Sequence, residues 1–135
     1  MSVALLDTTF LIDAERTDID LDALIQEDDD IAIAAITVAE LVVGVELASP
    51  HAKADRQAYV DDILASVPVI SYDREIALEH AQLLVAVRQT GRPRGAHDLL
   101  IAATARATKR MVLTADESAF ADLPGVTVRH YRTNP

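Results

Sequence analysis

The chain has 135 residues, a formal net charge of −10, half of its residues hydrophobic and no cysteine. That length forms one domain with a core of its own, here of Ala, Val, Leu and Ile. The lack of cysteine excludes disulfides and thiolate metal sites and predicts a reducing, cytoplasmic setting; the acidity argues against broad attraction to nucleic acid and leaves room for a basic partner. No apolar run approaches the roughly 20 residues that span a bilayer, and Met1 to Leu6 reads as too short and too uncharged for a signal peptide, so no membrane association is expected.

Val3-Ala4-Leu5-Leu6 is a short apolar run that predicts a buried strand ending at Asp7. Asp7-Thr8-Thr9 then turns into a helix from about Phe10 to Glu15. Asp7 suits two roles equally, a cap on that helix or an acid at the carboxyl end of the first strand, where open α/β sheets place their ligands. Leu21, Leu24 and Ile25 mark a short helix, and Asp28-Asp29-Asp30 a solvated turn. Ile31 to Ile36 reads as the second strand. Thr37-Val38-Ala39-Glu40 fits a capping box, Thr37 as N-cap and Glu40 three residues on. The apolar run Leu41, Val42, Val43, Val45 and Leu47 leaves little polar face around Glu40, which favours a Glu40 turned into a crevice; Gly44, one turn beyond, permits close approach of another element.

Pro50 begins a helix to about Ala65. Val67 to Ser71 is the third strand, with Pro68 at its start. Asp73 caps a helix through about Gln89, with His80 on its inner stripe. Gly91-Arg92-Pro93-Arg94-Gly95 is a Gly- and Pro-rich loop, and its arginines are candidates to grip phosphate beside an acidic centre. From Leu99 to Ala105 every residue is apolar or Thr, which predicts a helix buried nearly all round. Asp98 opens it, as a cap by default. Met111 to Thr114 is the fourth strand, Asp116 follows, Val126 to Val128 is a last strand, and His130 to Pro135 reads as a loose tail.

Strands alternating with helices predict an α/β fold: one central, mostly parallel sheet of four to five short strands, flanked by helices and joined by right-handed crossovers. Asp7 and Asp116 then sit just past strands, Glu40 in the helix after strand two, and Asp98 at the start of a helix that leads into a strand. All four face one rim. Clustered like charges raise pKa values or demand a cation, and hard oxygen ligands suit Mg²⁺, which binds one or two carboxylates and keeps water and substrate phosphate. Such a metal can activate water and orient a phosphodiester. The chain has no Gly-rich phosphate loop, no Ser-centred nucleophile elbow and no His pair at zinc spacing.

Four pieces, Leu5-Leu6-Asp7-Thr8-Thr9, Ile36-Thr37-Val38-Ala39-Glu40-Leu41, Asp98-Leu99-Leu100-Ile101-Ala102-Ala103-Thr104-Ala105 and Leu113-Thr114-Ala115-Asp116, resemble in order and spacing the motifs of PIN-domain ribonucleases. Size and the Gly91-Arg92-Pro93 segment resemble the VapC-type toxins of toxin–antitoxin pairs. The resemblance covers nearly the whole of residues 1–135 and implies a single PIN-like domain. It places the acidic quartet on Asp7, Glu40, Asp98 and Asp116, with Asp7, Asp98 and Asp116 as metal ligands. It puts a hydroxyl near the metal at Thr114, and a polar position after the first acid at Thr8 or Thr9. It implies Mg²⁺- or Mn²⁺-supported hydrolysis of RNA, a homodimer, and a VapB-type antitoxin that brings a basic side chain to the acids. One departure stands out. Many relatives carry an Asp before the Phe that corresponds to Phe120, where this chain has Ala119; either Glu117 replaces that acid or the site holds one metal more weakly.

Two other classes fit part of the pattern. A receiver-type phosphoacceptor domain gathers acids at a sheet rim but needs a late Lys after a strand, and Lys109 precedes the Met111 strand. A binding-only PIN-like module needs no acids, and all four are present.

Overall fold

The computed structural model describes residues 2–130. A single sheet of five strands runs through the centre: β1 (Val3–Leu6), β2 (Asp30–Ala34), β3 (Val69–Ile70), β4 (Met111–Thr114) and β5 (Val128–His130), in the spatial order β3-β2-β1-β4-β5. Every pairing is parallel, so each connection must cross over; α-helices make the first three crossings, and a loop with one 3₁₀ turn joins β4 to β5. They are α1 (Thr8–Arg16), the single turn α2 (Leu21–Leu24), α3 (Ala35–Glu46), α4 (Pro50–Ser66), α5 (Arg74–Thr90) and α6 (Ala96–Ala107).

Both faces of the sheet are covered, which is why its central strands read as unbroken apolar runs. Side chains alternate between two cores with the period of the strand. Leu5, Ala32, Ala34 and Val112 pack with Ile76 and Leu83 of α5, with Leu99, Ile101, Ala102 and Ala105 of α6, and with Phe120. Leu6 and Ile33 point the other way, to Phe10 and Leu11 of α1, Leu41 and Val45 of α3, and Val60 and Ile63 of α4. Helix α6 is buried as its composition predicts, with Leu99 and all residues from Ile101 to Ala105 inside. Small Ala residues let it lie flat on the sheet between α5 and the central strands.

Several boundaries differ from the sequence reading, each for a physical reason. Strand β2 stops at Ala34, and α3 starts at once on Ala35 with no side-chain cap. Thr37 is therefore inside the helix, and the capping box does not form; its hydroxyl is fully buried and meets Thr8 Oγ1 at 3.1 Å instead. That moves Glu40 into the second turn of α3, where its side chain is free to leave its own backbone. The close approach expected at Gly44 does not occur, since a Cβ added there would meet nothing within 4 Å. Helix α6 begins at Ala96 with Gly95 at the N-cap, so Asp98 lies in the first turn and is not the cap. The last strand is Val128–His130, displaced from Val126–Val128; Thr127 still accepts from Val112 N at 2.8 Å. The loose tail expected from His130 onward falls outside the described residues except for His130 itself. Among the described residues no helix is long and apolar enough to cross a membrane.

Candidate active site

The strand order reverses on either side of β1: β2 and β3 extend one way, β4 and β5 the other. Crossovers from β1 and into β4 leave the sheet in opposite directions, which makes the carboxyl ends of those two strands the place where open α/β sheets bind ligands. Asp7 stands at that seam. Its backbone N–H donates to Leu113 O at 2.9 Å, extending the β1–β4 ladder by one residue. Its side chain is 1% exposed. Both roles that the sequence left open are filled together: Asp7 is the N-cap of α1, accepting from Thr8 N at 2.8 Å through Oδ1, and it is an acid at the carboxyl end of β1.

Two hydroxyls hold the other carboxylate oxygen. Thr9 Oγ1 donates to Asp7 Oδ2 at 2.6 Å and Thr114 Oγ1 donates to the same atom at 2.7 Å. Thr9 and Thr114 lie 3.1 Å apart, so the end of β4 and the start of α1 are joined across the seam. Thr114 Oγ1 also accepts from Asp116 N at 2.9 Å, which orients the next acid. Thr8 turns the opposite way and donates to Glu40 Oε1 at 2.7 Å. Neighbouring residues Thr8 and Thr9 thus tie Asp7 to two separate parts of the rim, Glu40 on α3 and Thr114 on β4.

Asp98 projects from the first turn of α6, where the helix dipole favours a carboxylate. It sits over Gly95: a Cβ built at Gly95 would lie 2.8 Å from Asp98 Oδ2. Burial holds the Asp98 carboxyl above its ordinary value, and Asp7, Glu40 and Asp116 each push it further in the same direction, opposed by His97. The charges of the other three acids, from three other elements, are thus felt at Asp98. Asp7 is raised as well, chiefly by burial, with Glu40 adding to it and the hydrogen bonds from Thr9, Thr114 and Thr8 opposing. Asp116 is exposed, with Ser118 Oγ donating to its Oδ1 at 2.7 Å.

The remaining sequence candidates fall as follows. Glu117 is exposed at the start of a 3₁₀ turn over Glu117–Ala119, and Ala119 packs partly against the core under α6. Arg92 pairs with Asp122 at 3.0 Å. Arg94 donates to Ser118 O at 2.8 Å and to Ala121 O at 2.5 Å. Both arginines are therefore turned onto the chain itself. Three participants had no assigned role in the site: Thr37, behind Thr8; His97, whose Nδ1 lies 3.3 Å from Glu40 Oε2; and Ser118. His97 could have been found from its position beside Asp98, and Ser118 from its place two residues past Asp116, a spacing at which a hydroxyl reaches back to a carboxylate.

Among the described residues no three Asp, Glu or His side chains are close enough together to form a ready-made metal cage. The acid donors are nonetheless all oxygen, two of the carboxyls are raised chiefly by burial, and Asp116 stands exposed to solvent. Such a set fits a hard cation that takes one or two carboxylates directly and the rest through water.

A family model described as the PIN domain matches residues 4–126. The tRNA(fMet)-specific endonuclease VapC of Salmonella typhimurium is 27% identical over 99 residues, covering 73% of this chain and 74% of that protein. Among solved structures, the fold is similar to a chain of VapBC2 from Rickettsia felis bound to a DNA fragment from its promoter, with a TM-score of 0.86 and 25% identity over 96% of this chain and 98% of that one. It is also similar to a chain of VapBC-5 from Mycobacterium tuberculosis, a member of the VapBC family of toxin–antitoxin systems, with a TM-score of 0.77 and 30% identity over 98% of this chain and 100% of that one. The chain belongs to the PIN domain family and is of its VapC type.

Proposed function

We propose that this chain is a Mg²⁺- or Mn²⁺-dependent endoribonuclease, the toxin of a type II toxin–antitoxin pair, which hydrolyses RNA phosphodiester bonds. The observation that carries the reading is the placement of Asp7, Glu40, Asp98 and Asp116 about the seam between β1 and β4, where Thr8 joins Asp7 to Glu40, Thr114 joins Asp7 to Asp116, and burial, then the charges of the other three acids, raises Asp98. Asp7, Asp98 and Asp116 would hold the ion, directly or through water. Bound there, a divalent ion supplies charge neutralisation for the phosphate and lowers the pKa of attacking water. Everything else is done by the chain. The threonines fix Asp7 so that both its oxygens keep one direction. Thr8 fixes one oxygen of Glu40, leaving the other to accept a proton from water beside His97. Arg92, exposed and held only by a surface ion pair worth about 0–1 kcal/mol, is the candidate to exchange Asp122 for an RNA phosphate.

The partner reading rests on charge and exposure. A net charge of −10 suits a basic antitoxin, and Ile12 of α1 and Val42 and Val43 of α3 leave apolar surface beside Glu40, continued by Leu47, which is 81% exposed. A VapB-type segment that covers this surface and places a basic side chain among the acids would silence them. A homodimer and a cytoplasmic location belong to the same reading.

The test is cleavage of a broad RNA panel by the purified chain, free of partner, with Mg²⁺, with Mn²⁺ and with EDTA, beside an Asp98→Asn variant whose fold is checked by circular dichroism. Discrete products that need both metal and Asp98 are expected. Products in EDTA, or undiminished products from Asp98→Asn, would overturn the proposal.

A further inference from the structure

The four acids are not equally well founded. Asp7 ends a strand, and Glu40 and Asp98 ride on α3 and α6, each 12 residues long. Asp116 instead sits in the irregular stretch between β4 and β5, whose regular structure is one 3₁₀ turn. Such a loop is anchored in the core by Phe120, which is fully buried, at its start by Asp116 N–H on Thr114 Oγ1, and at its far end by Arg106 of the last turn of α6, whose Nη1 donates to Pro124 O at 3.1 Å. None of these ties the loop to the first turn of α6, which carries Asp98.

Arg94 is placed to do so. It precedes the N-cap Gly95 by one residue, so it moves with the first turn of α6 and with Asp98. Its guanidinium reaches across to the Asp116 loop, donating from Nη1 to Ser118 O at 2.8 Å and from Nη2 to Ala121 O at 2.5 Å. The two carbonyls bracket Phe120. Ser118 is also the residue whose hydroxyl holds Asp116 Oδ1, so the first of these bonds acts one link away from the acid. The chain at the far end of the bracket turns through Asp122, which has a positive φ of 64°, a turn conformation that Asp tolerates better than most side chains. A planar fork with donors on separate nitrogens can span two carbonyls at once; a lysine ammonium is a single point of charge and cannot do so in the same geometry.

We propose that Arg94 is a positioning residue: it straps the Asp116 loop to the start of α6 and thereby sets the separation of Asp98 and Asp116. This rests on the reading of those acids as a metal site, and it takes Arg94 out of the set that contacts RNA.

The experiment compares Arg94→Lys and Arg94→Gln with the wild type, after circular dichroism and thermal melting establish that each is folded. In the metal-free proteins, hydrogen exchange is followed at the Ala119 and Phe120 amides, which donate to Asp116 O and Glu117 O. Mn²⁺ affinity is measured by electron paramagnetic resonance, and cleavage is read as separate kcat and KM. Both variants are expected to exchange faster in the loop and to bind Mn²⁺ about tenfold more weakly, the usual cost of losing a group that orients a ligand. KM for RNA stays at the wild-type value, and excess Mn²⁺ recovers cleavage. Wild-type exchange in both variants overturns the strap, and so does faster exchange with unchanged Mn²⁺ affinity and kcat, which is a purely structural role. A raised KM that Lys rescues, with a salt slope lower by about 1, returns Arg94 to RNA contact. Should the wild type cleave no RNA, the nuclease reading fails while the exchange measurement still decides the strap.

Discussion

Thr114 Oγ1 donates to Asp7 Oδ2 at 2.7 Å across 107 positions of sequence, and it is the only bond of the described hydroxyls that ties the end of β4 directly to the acid at the end of β1. Thr114 is fully buried, so its hydroxyl has no water to replace a lost partner. Its single proton goes to Asp7, and its lone pairs face Asp116 N. One side chain therefore serves two acids of the quartet.

Thr114→Val keeps the shape and removes both functions. The expected result is a loss of stability of about 1.5–3 kcal/mol, the range for a hydrogen bond to a charged acceptor, together with a fall in kcat. Thr114→Ser, which keeps the hydroxyl, retains most of the activity. Urea unfolding and single-turnover cleavage check the pair. Equal activity of the Val and Ser variants would show that the hydroxyl does not orient the acids.

Gly95→Ala tests the seat of Asp98. The backbone at Gly95, φ −62° and ψ 139°, is open to any residue, so no strain arises from the main chain. The obstacle is the Asp98 carboxylate, 2.8 Å from where the new methyl would lie. A short side chain can rotate away, so the fold survives with a change in melting temperature of no more than a few degrees. The carboxylate, however, leaves its place. Mn²⁺ affinity and cleavage should fall by about 10- to 100-fold in a protein whose circular dichroism is unchanged. Full activity would mean that Asp98 tolerates another rotamer.

Thr8→Val separates Glu40 from the rest. It removes the donor to Glu40 Oε1 and the partner of Thr37 while leaving the Thr8 N–H that caps onto Asp7. With Glu40 held only through Oε2 by His97 Nδ1 at 3.3 Å, kcat should drop while Mn²⁺ affinity, carried by the other acids, changes little. A parallel loss of Mn²⁺ affinity would place Glu40 among the direct ligands.

How far this arrangement could be read from the chain depends on the range of each interaction. The positions of three acids are legible because each lies at a boundary that local pattern marks, a strand end for Asp7 and Asp116 and the first turn of a helix for Asp98; Glu40, in the second turn of α3, is marked only by the apolar run around it. The parallel sheet followed from the alternation of elements. Thr37 misled because Thr-x-x-Glu fits a capping box, whereas its true partner, Thr8, is 29 residues away and no local pattern encodes it. The short edge strand β5 slipped by two residues because few of its side chains are buried deeply enough to fix a register. Arg94 reads as available from the sequence because its acceptors are the main-chain carbonyls of Ser118 and Ala121, which no residue type marks and only the fold brings near.

The final prediction concerns pH and metal together. The Asp7 and Asp98 carboxyls are both raised above the ordinary value of 3.8, burial being the first cause in each. For a raised acid the native state holds its proton at a pH where the unfolded chain has already released it. Stability then declines as pH rises from about that value through the folded pKa, and the cost is fully present above it. In EDTA, Asp98→Asn should therefore melt at a higher temperature than the wild type at pH 8, and the difference should close as pH falls toward 4. A divalent ion reverses the sign, because it binds the charged form. Saturating Mg²⁺ should stabilise the wild type at pH 8, by about 2.7 kcal/mol at a hundredfold excess over Kd, and should do far less at pH 5 or for Asp98→Asn. A wild type that gains on Asp98→Asn in EDTA as pH rises would show that the ionised Asp98 is already compensated within the chain, and the need for a cation at the seam would disappear.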